Sequence, residues 1–473
     1  MRRGVNQIFL GGAFALVAVL AGCASAAPSK VASAPARPAT PVAVAQPAPQ
    51  VPLPPPAPAP LPPDRMYPIM LGIDTLEASG FAALRGKRVG LLSHQAGVNR
   101  RGESTVDVLR RASSVTKLVA LYSAEHGFDG TAAASVKVGN STDRRTGLPV
   151  ISLYPQQRPN KDMLKNIDVM VIDLQDIGTR SYTYVSAMKW TMEGCFQNNI
   201  EVVVLDRPNP LGGLKVDGPP LDERWSKNNY VGAFRVPYVH GMTIGELARM
   251  AKEAPGVLEV ADAVRAKGKL TVIPMRGWTR AMRWSDTGLK FVPTSPQIRD
   301  LEAVQGYPMT GLGSYFETVT RYNFDIGFRT GVGAQHPFRG LSFKNVRPEV
   351  LEKELAAIAP KLRGVKLLRV AAPTRDGKPG TGIYIQITDH NAWQPTELNF
   401  WMMKIACKLS PQNPFAIIKG REFSGFLRHM GSQEFLNDIA AKGAAVDIDA
   451  WLAKWRAQAR ISQEQSKKYW LYQ

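Results

Sequence analysis

The chain has 473 residues, and its 59 Lys+Arg against 39 Asp+Glu give a formal net charge of +20. This length exceeds what one core usually serves, so two domains are expected. The basic balance outside a cytoplasm points to anionic glycans, peptide carboxylates or a lipid surface, with diffuse solubility charge as the alternative; no basic and aromatic stripe resembles a nucleic-acid module, and no nucleic-acid partner is expected.

In chain order, Met1-Arg2-Arg3 and the apolar run Ile8 to Leu20 form a secretory signal, too short to remain as a membrane-spanning helix. Leu20-Ala21-Gly22-Cys23 fits a bacterial lipobox, which predicts lipidation of Cys23 and a membrane partner through that anchor; an ordinary signal with an incidental cysteine is the alternative. Ala24 after the cysteine fits sorting to a Gram-negative outer membrane, facing the periplasm. Residues 24–65 are rich in alanine and proline and cannot pack a core, so they read as a semi-rigid tether.

From residue 66 short β-branched runs alternate with helix-like sequence, the rhythm of an open α/β sheet. Strands are predicted at 88–92, 117–122, 150–153, 168–174, 201–205 and 270–274, with helices at about 103–112, 181–198 and 243–251. The first strand ends in Ser93-His94-Gln95-Ala96-Gly97, without the G-x-G-x-x-G that cradles a pyrophosphate, so no dinucleotide is expected. Three strands end in acid: Ala124-Glu125-His126-Gly127, Gln175-Asp176-Ile177-Gly178 and Asp206-Arg207-Pro208-Asn209. In open sheets the crevice lies outside the carboxyl ends of the strands, so Glu125, Asp176 and Asp206 are predicted to face one cleft suited to acid/base work on a polar substrate. The pattern breaks near Pro293-Thr294-Ser295-Pro296, and a boundary is placed between 295 and 296; helices at 349–359, 395–408 and 447–463 and strands at 366–371 and 382–387 follow, an α+β arrangement. Cys195 and Cys407 read as free thiols in helices, and no cysteine or histidine spacing predicts a metal.

AEHG at 124–127, TGLPVISLYP at 146–155, DVMVIDLQDIGTRSYTY at 168–184, VVVLDRPNPLGG at 202–213 and HGMTIGELA at 240–248 together resemble the landmarks of the exo-β-N-acetylmuramidase family. The resemblance runs over nearly all of the chain after residue 66. It implies a Rossmann-like, mostly parallel sheet in a catalytic domain (66–295), a smaller α+β domain (296–473) closing the cleft, no cofactor, and release of terminal N-acetylmuramic acid from peptidoglycan-derived glycans. One segment, 319–337, departs from the family pattern, where a Ser-x-Gly-Arg-Gly-Thr stretch is expected.

For a glycosidase, Glu125 is the candidate general acid/base, a structural loop acid being the alternative. Asp176 is the candidate second carboxylate, as nucleophile, base or stabiliser of an acetamido group, or else it caps the helix that follows. Muramic acid carries a lactyl carboxylate that glucosamine lacks, and Arg180 or Arg207 could read it as a bidentate fork unless each is paired with a neighbouring acid. His126, Tyr184, Asn209, His240 and, from the second domain, Glu317 complete the candidate substrate contacts, with one of Tyr182 and Tyr184 expected to pack instead. Thr243-x-x-Glu246 reads as a capping box, which explains Glu246 structurally.

Overall fold

The predicted β-branched runs pair into one seven-stranded sheet in a computed structural model that describes residues 69–154, 158–315, 325–333, 335–373 and 377–473. Its strands are β1 Arg88–Ser93, β2 Lys117–Ser123, β3 Ser141–Thr142, β4 Pro149–Ser152, β5 Val169–Asp173, β6 Glu201–Leu205 and β7 Leu270–Ile273. Their order is β3-β4-β2-β1-β5-β6-β7, parallel throughout except for the short edge strand β3. The chain adds β2 and β4 on one side of β1, then returns to add β5, β6 and β7 on the other. The order therefore reverses between β1 and β5, the position where open α/β sheets form a crevice.

Alternation along β5 explains why the sheet is covered on both faces. Val169 and Val171 pack with Ile73, Leu76, Val106 and Leu109 of the helices Gly72–Ala78 and Thr105–Arg111. Met170 and Ile172 face the other way, toward Val185, Met188 and Leu247 of the helices Tyr184–Gln197 and Ile244–Glu253. Fully burying each such side chain contributes about 1.5–3 kcal/mol. The second core continues without a break into Phe400, Phe435 and Trp455 of the C-terminal helices.

A smaller antiparallel sheet follows, β8 Phe328–Thr330, β9 Gly340–Phe343, β10 Val365–Pro373 and β11 Pro379–Ile387, in the order β10-β11-β9-β8. Helix Pro348–Ile358 packs on it, and helices Leu301–Thr310, Glu397–Leu409, Gly420–Met430, Gln433–Lys442 and Ile448–Ser466 complete the C-terminal part. The larger sheet is complete by Ile273 and the smaller begins at Phe328, and both lie within one compact unit. Cys195 and Cys407 are free thiols.

Asp206 at the tip of β6 does not face a cleft. Its carboxylate is fully buried and accepts from the backbone N–H groups of Arg207 (2.9 Å) and Gly245 (2.8 Å), the Thr243 hydroxyl (2.8 Å) and the Tyr472 hydroxyl (2.6 Å). Gly245 permits this approach, since a Cβ there would lie 2.6 Å from Asp206 Cγ. The acid anchors the start of helix Ile244–Glu253 to the sheet and binds the C-terminal segment over it, a structural role that its sequence position does not announce. Glu246 closes the predicted capping box with Thr243 and also takes Arg280 at 2.6 Å.

Candidate active site

β2 delivers Glu125 through a tight reversal: His126 (φ 73°) and Gly127 (φ 81°) both adopt left-handed backbone, which turns the chain directly after the acid. His126 is held by its Nδ1 donating to Ala132 O at 2.8 Å, since a carbonyl can only accept. The Glu125 carboxylate, 8% exposed, accepts from Ser135 N at 2.9 Å and from Thr183 Oγ1 at 2.8 Å. Thr183 precedes helix Tyr184–Gln197 and makes no capping bond to its own helix, so its hydroxyl is available to the acid.

This carboxylate lines a cavity of about 260 Å³. Its walls come from Ser181, Tyr182 and Thr183, from Asn229 and Tyr230, from Tyr307 of helix Leu301–Thr310, and from Arg428 and His429 at the end of helix Gly420–Met430. Aromatic faces beside hydroxyls and an amide are the composition that binds sugars, whose rings present apolar faces and polar edges. Burial pushes the His429 imidazole down to about 4, so it is neutral at pH 7; Nδ1 donates to Gly425 O at 3.0 Å, which leaves Nε2 as an acceptor. Arg428 donates from Nη1 to Asn228 O at 2.8 Å and has no carboxylate partner among the described residues.

Asp176 stands outside this cavity. Its Oδ2 accepts from Gly178 N at 2.7 Å and lies 3.5 Å from His240 Nε2, while Oδ1 has no hydrogen-bond partner among the described residues. The bond to Gly178 closes its own turn and caps no helix. Its charge adds to the raising of the Tyr182 and Tyr307 hydroxyls, which burial chiefly causes.

Several expected contacts are engaged elsewhere. Arg180 is fully buried and donates to the carbonyls of Pro219, Val236, His429 and Met430, joining three chain segments behind the cavity with no fork left for a substrate carboxylate. Burial also lowers its pKa to about 10. Arg207 forms a two-point pair with Asp173 at 2.5 and 2.8 Å and borders a different cavity. Tyr184 packs edge-on against His94 and donates to Thr294 O at 2.7 Å, while Tyr182 reaches the Glu125 cavity. Asn209 bonds Met242 O and Leu211 N, and His240 accepts from Met242 N at 3.2 Å beside a third cavity. Glu317 and Cys23 lie outside the described residues. Among the described residues no three His, Cys, Asp or Glu side chains gather as a metal-binding set.

The same chain matches two consecutive family models, described as the N-terminal part (residues 89–302) and the C-terminal part (residues 306–472) of exo-β-N-acetylmuramidase NamZ. The peptidoglycan β-N-acetylmuramidase NamZ of Bacillus subtilis (strain 168) is 36% identical over 350 residues, 73% of this chain and 79% of that protein. The chain belongs to the exo-β-N-acetylmuramidase family. As a member it is a glycoside hydrolase. Crystal structures of two DUF1343 family proteins from Bacteroides fragilis NCTC 9343 share the fold. One is 33% identical with a TM-score of 0.72, covering 86% of this chain and 100% of that one; the other is 26% identical with a TM-score of 0.63, covering 86% and 99%. For an exo-β-N-acetylmuramidase, the groups that sequence reasoning missed are Thr183, Tyr230, Tyr307, Arg428 and His429. The first was within reach, as a hydroxyl at a helix start; the others line the Glu125 cavity only because segments distant in sequence pack around the β2 tip.

Proposed function

We propose that this hydrolase removes terminal N-acetylmuramic acid from peptidoglycan fragments, with Glu125 as general acid. The observation that carries the reading is the Glu125 carboxyl itself, oriented by Ser135 N and Thr183 Oγ1 in a cavity of hydroxyls and aromatic rings. A volume of about 260 Å³ suits one terminal sugar better than the interior of a glycan strand. In this reading Glu125 gives a proton to the glycosidic oxygen as the C1–O bond breaks, and water supplies the hydroxyl that ends on C1. Asp176, outside the cavity and beside His240, acts as a positioning residue. Arg428 meets the lactyl carboxylate, the role first assigned to Arg180 or Arg207. The peptidoglycan β-N-acetylmuramidase activity of the Bacillus subtilis relative supports the substrate class.

The test is turnover of a chromogenic aryl β-N-acetylmuraminide by the mature protein. Aryl release is the expected result. Tight binding of the compound without hydrolysis would instead identify a glycan-binding envelope protein. The lipobox supports attachment at Cys23 to the outer membrane, where the hydrolase would stand beside its polymer.

A further inference from the structure

A second cavity, of about 230 Å³, opens where the strand order reverses between β1 and β5. Arg100, Arg101, Arg207 and Lys290 line it over an apolar wall that includes Leu71 and Trp284, and no Asp or Glu side chain lines it. It shares no lining residue with the Glu125 cavity.

Arg100 is the anomaly. Its side chain is 6% exposed, yet its guanidinium has one charged neighbour, Asp74 at 3.7 Å, beyond hydrogen-bond reach. Only the backbone N–H of Arg100 bonds that acid. Its five side-chain donors thus have no protein acceptor among the described residues, and none of its nitrogens is sealed from solvent. Arg207 contributes more: its Nε and Nη2 hold Asp173 and Val98 O, and Nη1 has no acceptor among the described residues. Asp74 and Asp173 balance these two arginines from behind, Arg101 pairs with Glu77 at 3.3 Å, and Lys290, without a carboxylate partner among the described residues, leaves one net positive charge.

We infer that this switch-point cavity binds a small organic monocarboxylate, its oxygens bridging the free donors of Arg100 and Arg207 and its apolar body against Leu71 and Trp284. Local neutrality apart from Lys290 favours a monoanion over a phosphate dianion, and planar guanidinium groups match a carboxylate. The site is independent of the glycosidase cavity and of its substrate.

Titration calorimetry of the mature protein tests this with propionate, its neutral isostere propionamide, and inorganic phosphate. Propionate should bind with millimolar affinity, ~10-fold or more tighter than propionamide and tighter than phosphate. Arg100→Gln should abolish binding. Val292→Phe, which narrows the cavity while keeping every charge, should do the same and serves as the test should Arg100→Gln fold poorly. Arg428→Ala should leave it unchanged. Equal binding of propionate and propionamide, stronger binding of phosphate, survival of binding in Val292→Phe, or loss of binding in Arg428→Ala would each overturn the assignment.

Discussion

Thr183 stands at the N-cap of helix Tyr184–Gln197 and gives its hydroxyl to Glu125 instead of its own helix. That choice, repeated at Ser135 N, orients the acid without placing a fixed cation on it. Glu125→Gln preserves shape and hydrogen-bond length but cannot deliver a proton. Turnover of a poor leaving group should fall ~10²–10⁴-fold, with a smaller loss on an activated aryl glycoside that needs little protonation. Equal losses on both would remove Glu125 from the acid role. Arg428 carries the second residue-scale prediction. A charged bidentate contact is worth about 1.5–3 kcal/mol, so Arg428→Ala should shrink the kcat/KM preference for a muraminide over the matching glucosaminide by ~10–100-fold, and Lys should restore it only in part. An undiminished preference in both variants would mean the lactyl group is read by other residues.

At the scale of elements, the ends of β1 and β5 are locked by two side-chain bonds: Ser93 Oγ donates to Asp173 O at 2.9 Å, and Gln175 N donates to His94 Nε2 at 3.0 Å. The second bond needs an unprotonated ring. Burial, with Arg207 and His126 nearby, pushes His94 down to about 3. Because the folded value lies below the ordinary 6.5, the unfolded chain takes up this proton first as pH falls. The stabilisation is complete above pH 6.5 and is lost toward pH 3, ~3 kcal/mol of it by pH 4. Asp206 acts with the opposite sign: burial raises it to about 6, so its contribution is present at low pH and fades as pH rises from about 4 to 6. Between pH 6 and 4 the two terms are of similar size and nearly cancel, and below about pH 4 the His94 loss acts alone. His94→Gln, whose side-chain oxygen can accept from Gln175 N without titrating, should leave the Asp206 term unopposed, so that thermal midpoints rise on acidification from pH 6 to 4 relative to the parent protein. An unchanged slope would show that His94 does not offset it.

At the scale of the whole molecule, the folded body follows an alanine- and proline-rich stretch that begins after Cys23. Acyl-chain burial at that cysteine would hold the hydrolase at a membrane while the stretch allows reach toward the cell wall. Cys23→Ser should move the protein from the membrane fraction to the soluble periplasm, while the chromogenic activity persists. Continued recovery with membranes would place the attachment elsewhere.

The strands β1, β2, β5 and β6, the parallel sheet, the Thr243–Glu246 capping box and the position of Glu125 at a strand tip were all legible in the chain, because each depends on neighbours within a few residues and on periodicity. The helices Gly420–Met430 and Gln433–Lys442 escaped that reading, and with them Arg428 and His429. Which charged side chains stay free for substrate was decided only by tertiary packing. Asp206 and Asp176 both follow strands and read alike, yet Tyr472, far along the chain, bonds the first, while the second closes its own turn on Gly178 beside His240. Arg180 and Arg207 read as twin forks beside acids, yet one is bound by backbone carbonyls and the other by Asp173. The physical reason is desolvation: a buried charge must find its partner wherever the fold brings one, at separations over which local pattern carries no signal.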